Sequence, residues 1–127
     1  MARPKSSELT ERELEVMHVF WKHGELTTHR VRELLVEAGT DLAYVTVANL
    51  VRILVEKQYV QAINEERPFV YKSLKSFEVV SRSFVGDLVN RVFEGSREAL
   101  LVQLLGKRKK LTKAERSFLK QVLEEQE

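Results

Sequence analysis

The sequence predicts a mainly α-helical chain with one small β-hairpin, in which an N-terminal head is followed by a C-terminal helical tail. Three observations lead to this prediction. Apolar residues recur at helical spacing in three segments before residue 58, two short β-prone runs follow around a turn, and helical spacing returns after residue 76. A length of 127 residues suits one compact domain, or a small domain with an appendage, and excludes a large multi-domain enzyme.

The first helix is predicted to begin after Thr10 and to end near His23. Thr10 is a typical N-cap residue, and Glu13 lies three positions later, as in a capping box. Gly24 follows, and glycine commonly ends helices. One face of this helix is apolar and should contribute to a core; it comprises Leu14, Met17 and Trp21, with Val16 and Phe20 beside them.

Two more helices are predicted, one from Thr27 or Thr28 to Gly39 and one from Ala43 to Lys57. In both, apolar residues follow the spacing of a buried helical face. These residues are Val31, Leu34, Leu35 and Ala38 in the second helix and Val47, Leu50, Val51 and Leu54 in the third.

A hairpin is predicted after the third helix. Residues 59–64 and 69–72 are β-prone, and residues 65–68 join them through a turn that contains proline. Three helices followed by a hairpin is the element order of a winged helix-turn-helix, in which the hairpin forms the wing. We therefore expect a winged helix-turn-helix DNA-binding domain over residues 8–74.

Residues 75–127 are predicted to form a helical dimerisation domain. A helix from about Phe77 to Phe93 comes first, and a short leucine-rich segment follows. The last helix begins at a second capping box, made by Thr112 and Glu115. Because a tail of this length cannot bury all of its apolar side chains against itself, we expect a second copy of the chain to cover them. The expected dimer contacts are Phe77, Phe84, Leu88, Leu101 and Leu105.

No enzyme, metal or membrane motif is present in the sequence. There is no phosphate-binding glycine loop and no nucleophile elbow, and His18 and His23 lie five positions apart, which suits helical zinc ligands poorly. We therefore expect no catalytic residue, no cofactor and no metal site. The absence of cysteine fits a reducing compartment, and no apolar stretch is long enough to span a membrane. The expected location is the cytoplasm.

The third helix is the strongest candidate for contact with double-stranded DNA. Between residues 41 and 56 it carries no acidic side chain that would repel phosphates. Thr46 can contact a thymine methyl group or a phosphate, and Asn49 can pair with adenine. Tyr44 can reach a phosphate, and Arg52 supplies a cation. The alternative is an ordinary amphipathic helix with a neutral outer face.

The turn of the hairpin offers a second contact. Arg67 at its tip is placed for a phosphate or the minor groove, with Lys72 behind it. Glu65 and Glu66 favour the alternative of a solvated turn. The basic run at residues 107–110 can contact nucleic acid, but a solvated connection between helices, or a partner for a helix C-terminus, is favoured.

Three blocks of the sequence carry a family resemblance. They are Leu9-Thr10-Glu11-Arg12-Glu13-Leu14-Glu15-Val16-Met17 with Phe20-Trp21-Lys22-His23-Gly24, then Ala43-Tyr44-Val45-Thr46-Val47 through Leu54-Val55-Glu56-Lys57, and Arg67-Pro68-Phe69-Val70-Tyr71. With these blocks the chain resembles the penicillinase-repressor and methicillin-resistance-repressor family of bacterial transcription regulators. The resemblance implies a homodimeric repressor whose winged head binds operator DNA and whose tail forms the dimer.

The same resemblance implies a mode of release. Members leave their operator when a membrane metallopeptidase that senses β-lactams or envelope stress leads to cleavage of the tail, which would place this chain in β-lactamase regulation. The cleaved bond in the best-known members is Asn-Phe, and the matching position here is Gln103-Leu104. Copper-responsive relatives use a cysteine motif that this sequence lacks.

Two other functions fit the sequence. A winged-helix protein-interaction module without DNA binding is favoured by residues 1–72, which carry 10 basic and 11 acidic side chains. A regulator that binds a small molecule between head and tail is the other alternative. The salt dependence of binding to duplex DNA distinguishes a DNA-binding protein from an interaction module.

Overall fold

The computed structural model describes residues 8–106 and 110–126. These residues form two compact units, of which the first ends at Ser81 and the second begins at Arg82. In chain order the described elements are α1 (Glu11–His23), β1 (Leu26–Thr27), α2 (Thr28–Glu37), α3 (Tyr44–Glu56), β2 (Val60–Ala62), β3 (Val70–Ser73), α4 (Phe77–Arg91), α5 (Arg97–Leu105) and α6 (Lys113–Glu125). The predicted mainly α-helical class with a small β component is confirmed.

Helix α1 begins and ends as its sequence predicts. The Thr10 hydroxyl accepts from the Glu13 N–H at 3.2 Å, and the Glu13 carboxylate accepts from the Thr10 N–H at 3.0 Å. Gly24 follows the helix with a φ of 85°, a backbone conformation that glycine adopts without a steric penalty. Local chemistry therefore sets both ends of α1.

Helices α1, α2 and α3 pack around one core in the first unit. The core-facing residues are spaced three or four apart in each helix, so that each helix buries a single stripe. They include Val16, Met17, Phe20, Val31, Leu34, Leu35, Val47, Val51 and Leu54. The prediction for Ala38 is wrong: Ala38 is exposed because α2 ends at Glu37 and Ala38 is only the C-cap.

The predicted hairpin is the larger part of a three-stranded antiparallel sheet with strand order β1-β3-β2. Residues of β2 and β3 pair as predicted for a hairpin, with Val60 opposite Ser73 and Ala62 opposite Tyr71. The short strand β1 adds to the other edge of β3, with Leu26 opposite Tyr71. Periodicity could not find β1, because two residues are too few to show alternation.

The second unit contains most of α4, together with α5 and α6. The capping box predicted at Thr112 and Glu115 is present, with reciprocal bonds of 3.0 and 2.9 Å. Neither α5 nor α6 buries a residue. In the described part of the chain, no helix is both long and apolar enough to cross a membrane.

Candidate nucleic-acid interface

The outer face of α3 carries the two side chains expected to read bases. Val47, Val51 and Leu54 are buried, and this fixes the rotation of α3 about its axis. Thr46 and Asn49 consequently face solvent about one helical turn apart. Within the described residues neither side chain takes part in a hydrogen bond or ion pair, so both keep their polar groups for a ligand.

Val45 is a candidate that the sequence analysis missed. Its side chain lies in the first turn of α3, beside Thr46, and is 67% exposed. An apolar group at this place can contact a thymine methyl group in the major groove. A signal was available, because Val45 falls outside the helical spacing that joins Val47 to Val51 and Leu54.

Arg52 forms an ion pair with Glu56 on the same helix. Its guanidinium Nη1 lies 2.8 Å from the Glu56 Oε2, and both side chains are largely exposed. A pair of exposed charges at i and i+4 contributes only about 0.3 to 0.5 kcal/mol. A phosphate can therefore compete with Glu56 for Arg52.

The wing consists of β2, β3 and the loop of residues 63–69 between them. Arg67 lies in this loop, and its guanidinium carbon is 5.8 Å from the centroid of the Phe69 ring, as in a cation–π contact. Lys72 is exposed and lies one residue after Tyr71 on β3, so the two side chains point to opposite faces of the sheet. Lys72 is thus separated from the side chains of β3 that face α3.

A groove of about 690 Å³ lies between α3 and the wing. It brings together three of the predicted contact residues, Tyr44, Arg52 and Arg67, whereas Thr46 and Asn49 lie on the neighbouring face of α3. Its walls are aromatic and cationic rather than acidic. The full lining is Thr27, Thr28, His29, Tyr44, Ala48, Arg52, Val55, Ala62, Arg67, Pro68, Phe69 and Tyr71.

His29 joins this groove without any role assigned from the sequence. Its ring stacks on the Tyr44 ring, with centroids 4.4 Å apart and planes 29° from parallel. The contact connects the first turn of α2 with the first turn of α3 and holds the Tyr44 side chain against the groove. Sequence spacing gives no signal for it, because the two residues belong to different helices.

The opposite end of α3 is held by a partly buried charge network. The Lys57 ammonium donates to the Glu13 carboxylate at 2.8 Å and to the Glu8 carbonyl at 2.9 Å. Tyr59 lies beside it, and burial, together with the negative charges of Glu13 and Glu8, raises the pKa of the Tyr59 hydroxyl above its usual value. The end of α3 is thereby tied to the start of α1, which helps to orient the outer face of α3.

Phe77, which was expected at the dimer interface, has neighbours inside the first unit. Its ring meets the Trp21 ring edge-on at 5.3 Å and lies 6.2 Å from the His18 ring. The Trp21 indole N–H donates to the Lys75 carbonyl at 2.9 Å. Phe77 is still 52% exposed, so part of its surface is covered by α1 and part faces solvent.

The other expected tail residues differ in exposure. Phe84 is half-buried, whereas Leu88, Leu101 and Leu105 are exposed. Gln103 and Leu104, at the expected cleavage position, lie on α5, and both are exposed. Of the basic run, residues 107–109 lie outside the described residues.

A helix-turn-helix formed by α2 and α3, a wing beside α3 and a cationic groove between them define a winged helix-turn-helix regulator of the DNA-binding class. The chain belongs to the penicillinase repressor family, whose family description matches residues 9–125. The penicillinase repressor of Bacillus licheniformis is 30% identical over 125 residues, which cover 95% of this chain and 93% of that protein.

Among solved structures, the reduced form of MarR from E. coli matches 92% of this chain and 76% of its own, with a TM-score of 0.46 and 12% identity. Membership of the penicillinase repressor family makes this chain a DNA-binding transcriptional repressor rather than an enzyme.

Proposed function

We propose that the chain is a homodimeric repressor that inserts α3 into the major groove of its operator. The observation that carries this proposal is the outer face of α3, where Thr46 and Asn49 are exposed, unpartnered within the described residues, and about one turn apart. Amide and hydroxyl side chains so placed can read base edges, with Asn49 suited to adenine and Thr46 to thymine. Val45 adds an apolar contact on the same turn.

The groove between α3 and the wing suits a DNA backbone. When a helix occupies the major groove and a wing reaches the adjacent minor groove, the strand that separates the two grooves passes between helix and wing. Tyr44 and Arg52 would contact its phosphates from one wall, and Arg67 would contact them from the other. Lys72 faces away from this groove and would serve a more distant phosphate.

Dimerisation would be provided by the second unit. Its helices α5 and α6 bury no residue, yet they carry exposed apolar side chains, which is typical of a surface that another chain covers. In a dimer the second DNA-binding unit is held near the operator once the first has bound, and this raises its effective concentration. The exposed residues of this unit that we assign to the dimer are Leu88, Leu101 and Leu105, with Phe84 partly covered.

Release would follow cleavage of the second unit in response to a membrane metallopeptidase sensor. Residues 100–110 are the proposed region, with Gln103-Leu104 as the candidate bond. Helix α5 is nine residues long and buries none of them, so little packing opposes its local unfolding. Residues 107–109, in the same region, lie outside the described part of the chain. Cleavage would separate the two DNA-binding units, and a single unit binds weakly.

Binding to duplex DNA tests the central proposal. A high-affinity duplex is first selected from a random pool, and its affinity is then measured by fluorescence anisotropy over a range of salt concentrations. For a DNA-binding repressor, log K falls linearly with log salt, and the selected duplex binds more tightly than random duplex. Failure to bind any duplex at low salt would favour the protein-interaction module instead.

Induction is tested separately by mass spectrometry of the chain from cells treated with a β-lactam. The expected product is an N-terminal fragment that ends near Gln103 and has lost at least about tenfold in DNA affinity, which corresponds to about 1.4 kcal/mol. If target genes are induced while the chain stays intact, proteolytic release is wrong.

A further inference from the structure

One side chain holds the loop of the wing. The Asn64 amide nitrogen donates to the carbonyl of Glu66 at 2.9 Å and to the carbonyl of Pro68 at 3.1 Å. The Asn64 amide oxygen accepts from the Val70 N–H at 2.8 Å. A single amide therefore bonds the backbone on both sides of Arg67 and at the start of β3.

Backbone bonding alone does not fix this loop. The Ile63 N–H donates to the Val70 carbonyl at 2.8 Å and closes the base of the loop. Between residues 64 and 69 of the described chain, no backbone–backbone hydrogen bond accompanies it. The conformation of the loop therefore depends on Asn64, whose side chain acts as asparagine commonly does in turns, by replacing missing backbone partners.

We propose that Asn64 is a positioning residue for DNA binding, which presents Arg67 to a phosphate across the groove from α3. Asn64 fixes the peptide units next to Arg67, and the Phe69 ring supports the guanidinium from one side. This inference rests on the proposed function, because it requires that the wing contact DNA.

The reason is preorganisation. A loop that is already ordered loses little conformational freedom when Arg67 meets a phosphate, whereas a loose loop must be ordered at the cost of binding free energy. Asn64 is exposed, so its hydrogen bonds exchange with water and contribute little to global stability. Its removal should therefore affect DNA binding more than folding.

The experiment compares Asn64→Ala, Arg67→Ala and the double variant on the selected duplex, with the full-length chain. Asn64→Ala is expected to weaken binding by about threefold to tenfold. The slope of log K against log salt should become shallower by about one for Arg67→Ala, which removes a phosphate contact. It should stay near the wild-type slope for Asn64→Ala, because Arg67 still reaches its phosphate once the loop has been ordered. The matched control is Gln61→Ala, an exposed residue of β2 next to the loop, which should bind as the wild type does.

The double variant decides whether Asn64 acts through Arg67. If it does, Asn64→Ala causes no further loss once Arg67 is already alanine, so the two effects are not additive. Additive losses would overturn the proposal, and so would wild-type affinity in Asn64→Ala when Arg67→Ala binds weakly. If Arg67→Ala itself binds as the wild type does, the wing makes no contact through Arg67, and this part of the proposed function fails together with the inference.

Thermal melting establishes that each variant is folded. If Asn64→Ala does not fold, Asn64→Ser replaces it, because a serine hydroxyl can still accept from the Val70 N–H but cannot bond both carbonyls. Asn64→Ser is then expected to lose affinity, with no further loss once Arg67 is already alanine. Wild-type affinity in Asn64→Ser would contradict the proposal.

Discussion

The ammonium of Lys57, directly after α3, lies 2.8 Å from the carboxylate of Glu13 in α1. The Glu13 side chain is only 5% exposed, and it also completes the capping box of α1. One carboxylate therefore serves both the start of α1 and the end of α3.

Replacement of Lys57 should destabilise the first unit. Lys57→Met leaves the nearly buried Glu13 carboxylate without its cation, and we expect a loss of about 2 to 3 kcal/mol in the free energy of unfolding. Urea denaturation measures the loss. The control is Arg12→Met, which breaks the exposed Arg12–Glu15 pair of the same 2.8 Å length and should cost less than about 0.5 kcal/mol. Equal losses in the two variants would show that burial of Glu13 is unimportant.

The raised pKa of Tyr59 predicts a loss of stability at high pH. The folded chain keeps the Tyr59 hydroxyl protonated at a pH at which the unfolded chain, with a pKa near 10.0, releases the proton. Loss of the proton therefore favours the unfolded state. The stabilisation that comes from the protonated Tyr59 hydroxyl is fully present below pH 10.0 and is lost as pH rises through the folded pKa. In Tyr59→Phe, the decline of the melting temperature above pH 10.0 should be less steep. Parallel declines in the two proteins would contradict the assignment.

Substitution of the base-contacting residues of α3 should reduce sequence specificity. Asn49→Ala and Thr46→Ala should each cost about 1 to 3 kcal/mol on the selected duplex and much less on random duplex. Arg67→Ala should weaken binding to both duplexes alike, since phosphate contacts carry no sequence information. Anisotropy titrations on the two duplexes provide the comparison. A loss of equal size on both duplexes for Asn49→Ala would remove it from the base-reading set.

The Arg52–Glu56 pair predicts a variant that binds more tightly. Glu56→Gln removes an acidic group near the DNA and frees Arg52, so affinity for any duplex should rise by about twofold to tenfold at low salt. High salt should reduce the gain, which a titration at two salt concentrations would reveal. Glu15→Gln is the matched control, because it frees Arg12 on α1 through the loss of a similar pair. Unchanged affinity in Glu56→Gln would mean that Arg52 does not face a phosphate.

Among the predicted dimer residues, substitution of Leu101 or Leu105 on α5 should weaken dimerisation, whereas substitution of Phe77 should chiefly affect its contact with Trp21. Leu101→Asp and Leu105→Asp place a charge on exposed apolar positions of α5 and should shift the chain toward monomer in light scattering. Phe77→Leu should chiefly change the fluorescence of Trp21, the single tryptophan, because their rings are in contact. A dimer that survives both aspartate substitutions would exclude α5 from the interface.

The sequence by itself determined those features that depend on neighbours a few residues away. The capping boxes of Thr10 with Glu13 and of Thr112 with Glu115 could be predicted because both partners lie within one helical turn. The buried stripes of α1, α2 and α3 followed from spacing for the same reason. These local signals also placed Thr46 and Asn49 on the outer face of α3, opposite residues that had to be buried.

Only the tertiary structure decided the contacts between distant residues. Strand β1 forms because Leu26 pairs with Tyr71, and a segment of two residues is too short for its sequence pattern to predict that pairing. The stacking of His29 on Tyr44 likewise joins separate helices. Lys72 and Tyr71 alternate along β3, but only the packing of the sheet beside α3 shows that Tyr71 lines the groove that holds Arg67 and that Lys72 lies on the other face. Spacing along the chain specifies which face of an element a residue occupies, whereas the partner of that face depends on how the elements pack.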